Sequence, residues 1–167
     1  MVFPVKPSKT GIGISMKIDI AESGNGSVHF VTFKVGGHDY ALPLLQVECA
    51  LRMVSLMPVP DAPPWLAGLL NLHGRVMQTL DLKRCLGGKS RNPHPDDRLL
   101  VIDNNGKNIA VIVDEVNDVL EMPMTELEAP TGAVSKSRPL KGIIRNDDQL
   151  VLVLDPERLE PESLPIT

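Results

Sequence analysis

Short apolar runs broken by glycine, proline and polar clusters set the rhythm of this chain, and they read as strands joined by turns. Val28 to Val35 is rich in β-branched and aromatic residues, Gly36 and Gly37 supply a turn, and Tyr40 to Leu42 resumes apolar character, which predicts a β-hairpin. Leu44 to Leu51 fits either a helical turn or a buried strand. Pro58, Pro60, Pro63 and Pro64 exclude regular structure from the stretch ending at Trp65, because proline lacks an amide hydrogen and restricts the residue before it. From Leu66 to Asp81 two apolar arms flank His73 and Gly74, a two-residue turn with glycine in its second place, so the arms should pair. Leu99 to Ile102 and Ile109 to Val113 predict another hairpin, and their uninterrupted apolar runs suit strands buried on both faces. Asp155 and Pro156 are the N-cap and first-turn residues expected at the start of a short helix. Residues 1–27 show neither a 3.6-residue nor a 2-residue apolar period and read as a flexible tail, as do residues 161–167; the polar segment 87–97, with Pro93 and Pro95, reads as a boundary between two intertwined lobes of a domain at 28–160.

An internal repeat points to the architecture. Gly68 and Asp81 bracket a strand-turn-strand unit thirteen positions long, and Gly142 and Asp155 bracket another of the same length. Upstream, Gly37 and Val47 lie ten apart, as do Gly106 and Val116. The correspondences keep their order at offsets of 74 and 69 residues, which implies a duplication. About five short strands per copy cannot bury both faces of an open sheet, so each copy is expected to close into a small barrel. The expected fold is all-β: two five-stranded barrels around a shared hydrophobic core, a groove between them, and short helices between the lobes and at the C-terminus.

Composition narrows the function. Apolar residues make up 43% of the chain but aromatics only 3%, so the core must be built from Leu, Val, Ile and Met. A formal charge of −4 without a Lys/Arg stripe argues against a nucleic-acid partner. No run approaches the ~18 apolar residues of a membrane span, and the first residues lack a basic start followed by an apolar run, so a cytoplasmic chain without membrane insertion is expected. No CxxC, HExxH, GxxxxGK[ST] or GxSxG motif occurs, which leaves no expected metal, cofactor or nucleotide site. His29, His38, His73 and His94 are scattered, and Gly11 and Gly13 lack the strand that a dinucleotide loop follows. The one enzymatic reading pairs Cys49 with His73 as a thiol nucleophile and base, without a third group to orient the imidazole. Asp81, Asp114 and Asp155 each follow an apolar strand and read as caps of the next backbone turn.

Gly68 to Arg75, together with Leu80, Asp81 and Leu82, is similar to the GxxNLRG...DL signature of the CheW family, adaptors of bacterial chemosensory arrays. The resemblance continues through Phe30 to Phe33 with Asp39 and Tyr40, through Val111 to Val116 with Asp118 to Leu120, and through Gly142 to Asp155. It implies two SH3-like β-barrels, with no catalysis and no cofactor. It also implies two partners: the regulatory domain of a CheA-type histidine kinase and the cytoplasmic tip of methyl-accepting chemoreceptors. Such a protein is cytoplasmic, monomeric when isolated, and recruited to membrane-associated receptor arrays of a two-component chemotaxis system.

Carried over by position, the resemblance places protein contacts at Val47, Cys49, Asn71, His73, Gly74 and Arg75. Val47 corresponds to a groove-lining position that looks toward the receptor, whereas Asn71, Gly74 and Asp81 match signature positions that also suit turn and strand geometry. Two departures stand out: His73 replaces the signature arginine, and Cys49 stands where an acidic residue is usual. A charged pair across the groove is therefore expected to be missing at those positions, with Arg75 placed to supply the displaced positive charge. Gln78 replaces the proline usual in the second strand, which restores a backbone N–H for pairing. These departures support one alternative, a CheW-like regulator of a pilus or gene-control pathway with weakened receptor contact.

Overall fold

Alternating and continuous apolar runs become strands almost wherever turn residues bound them. The computed structural model describes residues 2–3, 26–132 and 139–159. Its strands are β1 (Val2–Phe3), β2 (Ser27–Val35), β3 (His38–Pro43), β4 (Val47–Arg52), β5 (Leu66–Leu72), β6 (Arg75–Asp81), β7 (Arg98–Asn104), β8 (Lys107–Val113), β9 (Glu115–Pro123), β10 (Leu140–Asn146) and β11 (Gln149–Leu154). A one-turn helix α1 (Leu82–Cys85) follows β6, and single 3-10 turns occupy Leu44–Gln46, Met124–Glu126 and Pro156–Leu159. The ambiguous segment after Pro43 is thus both alternatives in succession, a tight turn and then a buried strand. Among the described residues, no helix is long and apolar enough to cross a membrane.

The strands form two sheets, ordered β1-β4-β7-β8-β6-β5 and β10-β11-β3-β2-β9. Without β1 the first order is the image of the second, β5-β6-β8-β7-β4 matching β10-β11-β3-β2-β9. The registers match as well. Val47 opposite Ile102 and Leu51 opposite Leu99 in the first sheet correspond to Val116 opposite Phe33 and Leu120 opposite Phe30 in the second. The parallel pairs Gln78 with Ile109 and Leu152 with Tyr40 correspond in the same way. The offsets of 69 and 74 residues read from the sequence therefore describe a real structural duplication. Each sheet takes strands from both copies, and the 87–97 segment connects α1 to β7, with β6 and β7 in one sheet. The first sheet gains a sixth strand because Val2 and Phe3 pair with Leu51 and Ala50, so this part of the N-terminal segment is a strand and not tail. Residues 1 and 4–25 of that expected tail and the C-terminal tail at 161–167 lie outside the described residues.

Three apolar clusters explain how so few strands bury themselves. Leu51, Leu70, Met77, Leu99, Val101 and Ile112 fill the interior of the first sheet, and Phe30, Ile144, Val151 and Val153 that of the second. The third cluster lies between the sheets and takes the opposite faces of the same strands, including Phe33, Leu42, Leu100, Ile102 and Val111. β7 and β8 thus contribute every other residue to a different core, which is why their sequences read as continuous hydrophobic runs. Each sheet wraps around its own core in the SH3-like manner, without a ladder joining its end strands among the described residues.

One polar cluster ties the 87–97 segment to both sheets. Asp97, only 3% exposed, accepts hydrogen bonds from both terminal nitrogens of Arg91 at 2.9 and 2.7 Å and from the His94 amide at 2.7 Å. Arg91 also donates to Asp114 at 2.9 Å, and the other oxygen of Asp114 accepts the Gly36 amide at 2.8 Å. Burial pushes the Asp97 carboxyl upward, but the Arg91 and His94 donors outweigh it and hold the group below the ordinary carboxylate range. A carboxyl depressed by folding adds stability that is complete above its unfolded pKa of about 3.9 and is lost as pH falls through the lower folded value. Asp97→Asn is expected to lower the unfolding free energy by about 1–3 kcal/mol at pH 7. The difference from wild type should shrink below about pH 4, a window that urea titrations at pH 7 and pH 3 bracket.

Candidate functional site

The β5–β6 turn is built by local chemistry. His73 and Gly74 both have positive φ, 51° and 86°, the conformation that a two-residue hairpin turn of this twist demands. Asn71 stabilises it: its side-chain oxygen accepts the Gly74 amide at 2.9 Å. Asn71, His73, Gly74, Arg75 and Val76 are all exposed, so the structure brings four of the six expected contact residues to one surface turn. The other two, Val47 and Cys49, are buried at 0% and 7% exposure.

A β-bulge separates those two. Val47 pairs with Ile102 and Cys49 with Val101, leaving Glu48 as the extra residue of β4. The bulge reverses the alternation, so Val47 joins the core between the sheets while Cys49 enters the interior of the first sheet. Glu48 emerges instead and meets the turn. Arg75 grips it with both terminal nitrogens, and Asn108 donates to it at 3.0 Å. The hydrogen bond between Arg75 and Glu48 and the carboxylate charge raise the Arg75 pKa. The charged pair expected to be missing at Cys49 and His73 is thus present one and two residues away, as Glu48 and Arg75. Sequence reasoning missed Glu48 and Asn108, because regular alternation places residues 47 and 49 on one face and hides the residue between them.

The remaining chemistry-bearing groups serve the backbone. Asp81 caps α1 by accepting the Arg84 amide at 3.2 Å, Asp155 accepts the Glu157 amide at 3.1 Å, and Asp114 holds Gly36 as above. Gln78 lies on an inner strand, opposite Leu69 on one side and Ile109 on the other. The two thiols sit in unreactive settings: Cys49 is packed among Leu51, Leu70 and Leu72, and burial, with the Asp81 charge, pushes Cys85 up to about 12. Both are expected to react with a disulfide reagent roughly a hundredfold more slowly in the native protein than in denaturant. Rapid native labelling of Cys49 would revive the thiol-nucleophile reading.

Comparison with known proteins agrees with this fold. Residues 29–162 match the CheW-like domain, most of the chain. The chain belongs to the CheW-like family. It is 25% identical over 139 residues to the chemotaxis protein CheW of Helicobacter pylori, covering 83% of this chain and 84% of that one. It is 27% identical over 127 residues to the chemotaxis protein CheW of Bacillus subtilis, covering 75% and 81%. The crystal structure of the scaffolding protein TtCheW from Thermoanaerobacter tengcongensis superposes with a TM-score of 0.69 at 25% identity, covering 76% of this chain and 88% of that chain. The CheW-like fold, the mostly β content and a place among chemotaxis adaptor and scaffold proteins follow from these matches.

Proposed function

We propose that this CheW-like protein is a non-enzymatic cytoplasmic adaptor that couples chemoreceptor tips to the regulatory domain of a CheA-type histidine kinase within a receptor array. The observation that carries the reading is the exposed β5–β6 turn, where Arg75, Glu48 and Asn108 form a polar patch beside Val76, a valine left 59% exposed. An apolar side chain next to an ordered ion pair suits a modest, exchangeable protein interface. Val47 lies beneath this patch, buried between the sheets at the start of the bulge that projects Glu48. Glu48 and Arg75 also answer the alternative raised by His73 and Cys49, since a charged pair is still offered to a receptor. Reconstitution tests the reading: adding the protein to its own kinase and receptor-bearing membranes should raise kinase autophosphorylation severalfold and make it sensitive to attractant. Kinase output that is the same with and without the protein would refute it.

A further inference from the structure

The duplication allows the two lobes to be compared position by position, and the end of the sheet that carries Arg75 differs sharply between them. The matching registers carry Glu48 onto Asn117, Arg75 onto Gln149, Asn108 onto Asp39 and Asp103 onto Lys34. The turns match too, His73 at φ 51° with Asp147 at φ 52°. In the first lobe Arg75 lies across this end of the sheet, held by Glu48. In the second lobe Gln149 stands in its place, and an open cleft of about 570 Å³ remains there.

The lining of the cleft describes what it lacks. Asp39, Glu115 and Asp118 bring three carboxylates against one ammonium, that of Lys34, which lies 3.2 Å from Asp39. Asp118 is fixed through its backbone, which exchanges hydrogen bonds with the Thr32 hydroxyl at 2.8 and 3.2 Å. The side chains of Glu115 and Asp118 have no hydrogen-bond or ion-pair partner among the described residues. Beside Gln149, Leu150 is 55% exposed, as Val76 is beside Arg75.

We propose that the second-lobe cleft is a docking site for an arginine side chain presented by a partner protein. The guanidinium takes the place that Arg75 fills in the first lobe, and an apolar neighbour of that arginine packs on Leu150. Arginine fits better than lysine because its planar fork can donate to separated carboxylates and to the amide oxygens of Asn117 and Gln149 at once. The proposal rests on the adaptor reading only in taking the partner to be a protein.

The test uses the full chain and the dipeptide N-acetyl-leucyl-arginine amide, followed by amide NMR. Saturable shifts centred on Asp118, Gln149 and Leu150 are expected in the millimolar range, and at least tenfold weaker binding for the uncharged citrulline counterpart. The double variant Asn117→Glu/Gln149→Arg installs the first-lobe pair and fills the cleft, so it should lose the response at least tenfold while the rest of its spectrum is retained. Equal binding of the citrulline probe, shifts centred elsewhere, or an undiminished response in the folded double variant would overturn the proposal. Kinase and receptor binding are read separately, so either conclusion can fail alone.

Discussion

Gly68→Ala should lower the unfolding free energy by about 3 kcal/mol, the largest stability loss expected from a single methyl group in this protein. Gly68 sits at φ 154°, a conformation that side chains rarely adopt, and a Cβ there would lie 2.8 Å from the Met57 carbonyl oxygen and 2.9 Å from the Leu56 Cβ. Neither neighbour can yield cheaply. Met57 is bonded to Leu69 in both directions, at 2.9 and 2.8 Å, so moving its carbonyl breaks the bridge that covers the edge of β5. Gly142 is the duplicate position, with Glu128 bonded to Ile143 at 3.0 and 2.8 Å in place of Met57. There a Cβ would press on the Leu127 side chain and lie 3.0 Å from the Glu128 carbonyl oxygen, but Gly142 is outside the left-handed region and Leu127 can shift, so Gly142→Ala should cost less, about 2 kcal/mol. Urea unfolding of both variants checks the order, and equal losses would contradict the contacts described.

Charge reversal at Arg75 should weaken binding of a receptor-tip fragment at least tenfold, a loss typical of a charged contact read directly by a partner. Arg75→Glu turns the Glu48 pair into two facing carboxylates, with Asp103 adding a third charge nearby. Arg75 and Glu48 are 49% and 34% exposed, so the fold should tolerate the change, and circular dichroism should report an unaltered spectrum. The swap Glu48→Arg/Arg75→Glu restores an internal pair but inverts the pattern offered to the partner. If the receptor reads those charges, the swap remains weak. Recovery to wild-type affinity would mean that the pair only shapes the turn, and undiminished binding by Arg75→Glu would remove this patch from the interface.

The hairpins were legible because turn residues announce them: Gly36 and Gly37, His73 and Gly74, and the glycines that start each repeat. The duplication was legible from spacing alone, since Gly68 and Gly142 hold equivalent places, each beside a residue bridged to the position that follows it, Met57 to Leu69 and Glu128 to Ile143. Lobe membership was not. Which hairpin joins which sheet is decided by long-range pairing, such as β11 beside β3, and no local signal encodes that. The site was half legible. The turn signal located His73 and Gly74 in a two-residue turn, and the structure exposes them there beside Asn71 and Arg75, but the bulge that buries both Val47 and Cys49 and exposes Glu48 interrupts the strand period on which reading from sequence depends.

The most direct test of the adaptor account is calorimetric titration of the full chain with the regulatory domain of the CheA-type kinase from the same organism, repeated with a receptor-tip fragment. The account predicts that both bind, each with a dissociation constant near 1 μM, about −8 kcal/mol. Binding to neither partner would contradict it.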